Sequence, residues 1–387
     1  MSESHLTITV TRLESRPPPS ATSPPAHHVG SPPMSFCNPW TSYGTDYTLL
    51  SILQIRFGST RNFVPVPASR AELVPIRSPD WGAGKDGLKA TWIGHASFLV
   101  ETSCTADAVR GVRVLLDPVF SERTSPVGFA GPKRFSPTPC TLEELPEVDV
   151  VAISHDHYDH LDSATIRFVN QRGAGNVRFL CPLGVGRHLT GMGVAAADVT
   201  ELDWWDGVVV NVPSVGSIHL VCTPSQHNSG RSLWDKNVAL WSSWVLEEVG
   251  EAAAKSKRVF FAGDTAYRAV DEEDPADLTT FPHCPAFAEI GELYGPFDLA
   301  LLPIGCYSPR SFMSKVHCAP EDAVCIHRDI RSKRSIGMHY GTVRGGLSQQ
   351  YEDVREPPRR WREACEREGL VWDQEAGLCD IGETVII

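Results

Sequence analysis

Four candidate metal ligands, His155, His157, Asp159 and His160, fall within the six residues His155-Asp156-His157-Tyr158-Asp159-His160. His155 and His157 alternate, so both can reach one ion. Asp159 and His160 sit one step further on and suit a second. Imidazole with carboxylate is a donor set for zinc, manganese or iron. A polar loop with incidental histidines is the bland alternative, but a chance HxHxDH directly after an apolar strand is rare.

A two-ion centre needs ligands from elsewhere. His227 stands in Thr223-Pro224-Ser225-Gln226-His227, Asp264 in Phe261-Ala262-Gly263-Asp264-Thr265, and His339 in Met338-His339-Tyr340-Gly341-Thr342. Each alone reads as a capping aspartate or an ordinary histidine; in that order they complete a set. Thiolate sites are a poor alternative, because the 11 cysteines are scattered without a Cys-x-x-Cys pair and read as free thiols. Neither a GxSxG elbow nor a P-loop occurs.

Positioning such a set requires strands that end near one another. Val148–Ile153 is apolar on both faces, as in a strand buried between layers. A helix is expected from about Ser163, capped by Asp162 or Ser163. Short apolar runs at Ala90–Ile93, Phe98–Glu101, Val112–Leu116, Val177–Cys181, Val208–Val210, Ile218–Thr223, Val238–Leu246, Arg258–Ala262, Leu299–Pro303 and Ser335–His339 read as strands. Ala319–Ile330 reads as a helix opened by Pro320-Glu321-Asp322, and Glu352–Glu368 as another. The whole is a layered α/β body.

The seven ligands and their order resemble the metallo-β-lactamase superfamily over roughly 85–345. That resemblance implies an αββα sandwich, two mixed β-sheets flanked by helices, with two zinc ions at one edge. It implies that His155, His157 and His227 hold one ion, that Asp159, His160 and His339 hold the other, and that Asp264 bridges them. A narrower resemblance joins Asn38-Pro39-Trp40, Thr91-Trp92-Ile93-Gly94-His95-Ala96-Ser97, Leu116-Asp117-Pro118, Gly131-Pro132-Lys133-Arg134-Phe135 and Ser229-Gly230-Arg231-Ser232-Leu233-Trp234-Asp235. Together these look like the family of phospholipases D that hydrolyse N-acylphosphatidylethanolamine. The implied reaction is phosphodiester hydrolysis to N-acylethanolamine and phosphatidic acid, two ions lowering the pKa of a water. The alternatives are another hydrolase of the fold, a lactonase or other phosphodiesterase, or a lipid-binding scaffold with a vestigial site.

Secondary candidates follow from the same resemblance. Asp117 matches an acid that orients a ligating imidazole, against a plain Asp-Pro turn. His317 matches an active-site histidine suited to phosphate or to the leaving alkoxide. Arg134 is a candidate for a lipid phosphate or a surface ion pair. Trp204, Trp205, Trp241 and Trp244 read as core and rim.

The 387 residues divide into a disordered Pro-rich tail (1–35), an extension packing on the core (36–85) and the hydrolase domain (86–387). Residues 1–33 hold seven prolines and few acids, with Arg12 and Arg16 a faint hint of a transit peptide. The net charge of −12 argues against a nucleic-acid partner. Tyr47–Phe57 suits one apolar helical face, read as docked on the core in preference to a membrane anchor. No run approaches the ~18 apolar residues of a membrane span. The expectation is an intracellular protein, cytoplasmic or peripherally attached to a membrane phospholipid surface, with a mitochondrial membrane and a homodimer both left open.

Overall fold

The computed structural model describes residues 7–387 apart from 46–47, 49, 51–52, 54, 56, 58–62, 105–107, 233, 250–255, 274, 276 and 345–350. Among the described residues, one sheet has seven strands in the order β17-β4-β5-β6-β7-β8-β9. These are β4 (Lys89–Gly94), β5 (Ser97–Glu101), β6 (Arg113–Leu116), β7 (Val150–Ala152), β8 (Arg178–Pro182), β9 (Val199–Leu202) and β17 (Thr384–Ile386). It is antiparallel from β17 to β6 and parallel from β6 to β9.

The second sheet has eight strands in the order β1-β10-β11-β12-β13-β14-β15-β16. They are β1 (Thr9–Arg12), β10 (Gly207–Val212), β11 (Gly216–Thr223), β12 (Ser243–Glu248), β13 (Arg258–Phe261), β14 (Leu299–Pro303), β15 (Ser335–Met338) and β16 (Ala376–Gly377). It turns from antiparallel to parallel at β13. A two-stranded hairpin, β2 (His28–Val29) with β3 (Ser35–Phe36), stands beside it.

The period of two along the strands separates the layers. Val150 and Ala152 of β7 join a cluster with Trp244, Phe260 and Leu301 of the other sheet. Val151, between them, packs instead with Ile166 and Val169 of α1 (Ser163–Gly173) and Leu189 of α2 (Gly186–Gly191). Both faces of the strand are therefore apolar. On the far side, Phe287 and Ile290 of α3 (Ala286–Tyr294), Ile326 of α5 (Pro320–Asp329) and Trp361 of α6 (Glu356–Arg367) pack on the larger sheet. A four-residue helix, α4 (Arg310–Met313), precedes α5. The expected αββα sandwich is the observed architecture.

Two local expectations change. The strand expected over Val238–Leu246 is instead Ser243–Glu248; before it the chain turns into the interior, where Trp241 donates its indole N–H to the Ser225 carbonyl. The Pro-rich stretch, expected as a free tail, is laid along the body over its described residues. β1 pairs with β10, and Ile8 is buried with its carbonyl accepting from Arg178. The alternating β-branched run Thr7-Ile8-Thr9-Val10-Thr11 suits a strand, and pairing it with β10 covers that strand's edge.

Most of the 47–57 segment lies outside the described residues. Leu50, Leu53 and Phe57 are helical and exposed, at 66%, 53% and 67%, so the expected docking on the core does not hold at these positions.

Candidate metal centre

The candidate ligands all follow the C-terminal ends of strands. Residues 155–160 follow β7, His227 follows β11, Asp264 follows β13 and His339 follows β15. Asp117 follows β6, and His317 lies between β14 and α5. Loops at strand ends can turn polar groups toward one point while the strands behind them stay apolar.

His155, His157 and His227 converge first. Nδ1 of His157 lies 2.9 Å from Nε2 of His155 and 3.2 Å from Nε2 of His227. The second group centres on Asp264. Its Oδ2 is 3.1 Å from His160 Nε2 and its Oδ1 is 3.0 Å from His339 Nε2. Asp159 Oδ2 is 3.9 Å from His160 Nε2 and 3.8 Å from His339 Nε2. Asp264 Oδ2 also lies 3.9 Å from His155 Nε2 and 3.7 Å from His227 Nε2. The structure therefore brings all seven candidates together, with Asp264 between the two groups.

The donor chemistry fits divalent ions. Ring nitrogens crowd one another at 2.9–3.2 Å, and the buried Asp264 Oδ1, though 3.0 Å from His339 Nε2, accepts no well-aligned hydrogen bond. A divalent cation held by these residues would satisfy both conditions. Burial alone would raise the Asp264 and Asp159 carboxyls, but the surrounding imidazoles outweigh it and hold both well below the usual carboxylate range.

Backbone strain marks the same loops. His95, Asp117 and His339 all have left-handed φ, at 54°, 38° and 61°, a conformation costing a non-glycine residue about 1–2 kcal/mol. Gly263 also needs positive φ (58°), and a Cβ there would lie 2.6 Å from Ser154 Cβ.

The groups behind the candidate ligands are polar. Asp117 Oδ2 lies 2.7 Å from His160 Nδ1, and the Ser154 backbone donates to its Oδ1. His227 Nδ1 lies 2.7 Å from the Val316 carbonyl, and Asn38 donates to the His227 carbonyl at 2.7 Å. Asp117 therefore orients an imidazole and is no mere turn residue. His317 is buried among the ligands, Nδ1 3.8 Å from Asp264 Oδ2.

Of the two alternatives for Arg134, the surface ion pair is not formed among the described residues; the guanidinium donates to the carbonyls of Val119, Ser121 and Ser136, and its burial pulls the pKa down to about 10. Trp204, Trp205, Trp241 and Trp244 are all buried. Sequence reasoning missed His95, whose Nε2 lies 3.0 Å from Asp159 Oδ2 and whose ring sits 4.0 Å from that of His339. Its signal was present in the Gly94-His95-Ala96-Ser97 run, to which no role was attached.

The family model described as the beta-lactamase superfamily domain matches residues 112–340. The chain belongs to the metallo-β-lactamase superfamily. Among relatives of this hydrolase, N-acyl-phosphatidylethanolamine-hydrolyzing phospholipase D 1 of Caenorhabditis elegans is 37% identical over 302 residues, 77% of this chain and 76% of the worm protein. The mitochondrial N-acyl-phosphatidylethanolamine-hydrolyzing phospholipase D of Saccharomyces cerevisiae is 32% identical over 253 residues, 65% of this chain and 47% of the yeast protein. An isothiocyanate hydrolase from Delia radicum gut bacteria shares the fold, with a TM-score of 0.53 and 16% identity over 77% of this chain and 99% of its own. Among the described residues, no helix of this metallo-β-lactamase-fold hydrolase is long and apolar enough to cross a membrane.

Proposed function

We propose that this hydrolase is a dinuclear zinc phosphodiesterase that cleaves N-acylphosphatidylethanolamine into N-acylethanolamine and phosphatidic acid. The observation carrying the reading is the buried Asp264, whose carboxylate lies between two clusters of ring nitrogens, 3.1 Å from His160, 3.0 Å from His339 and 3.7 Å from His227. The names of the worm and yeast relatives support the choice of substrate.

His155, His157 and His227 would hold one ion, Asp159, His160 and His339 the other, with Asp264 shared. Bound there, the ions would lower the pKa of a water and draw charge off a phosphoryl group. The protein's own part is positioning. Asp117 holds His160 through Nδ1, and the Val316 carbonyl holds His227, so each presents Nε2 to the centre. His317 presents Nδ1, which has no hydrogen-bond partner, and is suited to hand a proton to the departing alkoxide oxygen. The oxygen of water joins phosphorus, the phosphorus–oxygen bond to the ethanolamide breaks, and that oxygen takes the proton. No side chain need become a covalent nucleophile.

Substrate access implies a peripheral place on a phospholipid surface. The test is to incubate the purified, zinc-loaded protein with N-acylphosphatidylethanolamine and with ordinary phosphatidylethanolamine and identify products by mass. Release of N-acylethanolamine and phosphatidic acid from the first lipid is the expected result. Turnover of a lactone with both lipids intact would overturn the substrate.

A further inference from the structure

A second group of metal-capable side chains lies outside the centre around Asp264. His27 and His28 come from the Pro-rich segment and Asp203 from the turn between β9 and β10, and their ligand atoms all lie within 4.8 Å of one another. His27 Nε2 is 2.7 Å from Asp203 Oδ1, and His28 Nε2 is 2.7 Å from Asp203 Oδ2. All three side chains are largely shielded, with exposures of 8%, 14% and 20%. The ring of His27 stacks on Trp204 at 4.0 Å, and that of His28 meets Phe36 edge-on at 5.6 Å.

Two features single this cluster out. A turn closed by the His28 N–H on the Pro25 carbonyl sets these consecutive imidazoles side by side, and both turn their Nε2 atoms to the same carboxylate. Their mutual geometry also repeats that of the candidate ligands at the main centre. The His27 and His28 centroids are 4.5 Å apart with the planes at 75°; for His155 with His157 the values are 4.6 Å and 81°, and for His155 with His227 they are 4.6 Å and 77°.

We propose that His27, His28 and Asp203 form an additional metal site that takes one divalent transition ion and staples the N-terminal segment to the β9–β10 turn. Two imidazole nitrogens and one carboxylate leave a tetrahedral ion a fourth position for water, and zinc, cobalt or nickel suits this mixed donor set. Cross-linking positions this far apart in sequence would remove many conformations from the unfolded chain. The stapled hairpin leads to Phe36, whose N–H donates to the Asn237 carbonyl, and then to Asn38, which holds the carbonyl of His227. The ion would thus steady the segment that backs one ligand of the main centre.

The test strips metal from the full chain, reloads it with zinc alone and counts ions per chain by mass spectrometry. Wild type is compared with the double variant His27→Gln, His28→Gln. Glutamine can still donate N–H to Asp203, so hydrogen bonding survives while both imidazole ligands are lost. The wild type is expected to hold one more ion than the variant, whatever number the Asp264 centre takes, so this result is separate from the assignment of activity. Zinc is also expected to raise the thermal midpoint of the wild type by more than that of the variant. Equal ion counts and equal midpoint shifts overturn the proposal and leave a hydrogen-bonded clamp. If the double variant does not fold, His28→Gln alone is loaded with cobalt: loss of part of the visible absorption supports the site, and a spectrum identical to wild type overturns it.

Discussion

Asp117 and His160 are joined side chain to side chain at 2.7 Å in a fully buried pair, and the far nitrogen of the same imidazole faces Asp264 at 3.1 Å. The carboxylate sets the direction of the ring, so a change at Asp117 acts on the centre without removing a ligand. Asp117→Asn offers one acceptor where the aspartate uses two, for His160 and Ser154 on Oδ2 and for the Ser154 N–H on Oδ1. The expected loss is roughly 10–100-fold in metal affinity or turnover. Dialysis against graded chelator, with metal counted at each step, measures it; an unchanged release curve would contradict the orienting role.

Removing a ligand is a harsher change. His155→Ala or Asp264→Ala should abolish turnover, the first by taking one nitrogen from a three-imidazole group and the second by taking the carboxylate between both groups. Circular dichroism should still report a folded chain, because the sheets rest on buried apolar residues such as Val150, Trp244 and Phe260. Wild-type turnover in either purified variant would sink the assignment.

These ligands could be read in advance because chemistry and local pattern coincide. HxHxDH follows a strand whose two faces are both apolar, and Asp264 and His339 each close an apolar run. The Asp162 cap of α1 was legible for the same reason, its side chain accepting from the Ala164 N–H. What was illegible depends on partners distant in sequence. The β-branched run Thr7-Ile8-Thr9-Val10-Thr11 favours a strand, but it borders a Pro-rich stretch and its pairing partner β10 lies far off in sequence. Arg134 reads as a surface cation until the carbonyls of Val119 and Ser121 close around it. His95 acquires its place only when the loops after β7 and β15 bring Asp159 and His339 to it.

Glu352 gives a pH prediction away from the candidate ligands. Its carboxyl is buried and accepts the N–H groups of Cys306, Tyr307 and Ser308; burial outweighs these bonds and pushes the pKa from 4.5 up to about 7. The folded state therefore keeps its proton where the unfolded chain has lost it. Stability from this group is fully present below pH 4.5 and is lost as pH rises through about 7. Denaturant midpoints of wild type and Glu352→Gln, measured across that window, should show a flatter pH dependence in the variant. Parallel curves would mean that Glu352 does not titrate there.

The exposed Leu50 and Leu53 carry a prediction about membranes. Apolar side chains left in water on a helix gain by entering a lipid interface. Leu50→Glu with Leu53→Glu should weaken binding to phospholipid vesicles more than it slows hydrolysis of a soluble short-chain substrate. Equal losses in both assays would assign these leucines to folding or to the centre.

The last prediction concerns which bond is cut. If water attacks phosphorus, labelled oxygen from water must appear in phosphatidic acid and be absent from the N-acylethanolamine. The reason is positional: under the proposed function, the centre around Asp264 would hold the phosphoryl group closest to the attacking oxygen. No enzyme-bound phosphatidyl group should accumulate, since none of the residues assigned to the centre is asked to act as a nucleophile. An enzyme passing through such an intermediate would transfer the phosphatidyl group to an added alcohol. One incubation in labelled water with a little ethanol tests both points. Label in the ethanolamide would place the attack at carbon, and abundant phosphatidylethanol would require a covalent step that this arrangement of side chains does not provide.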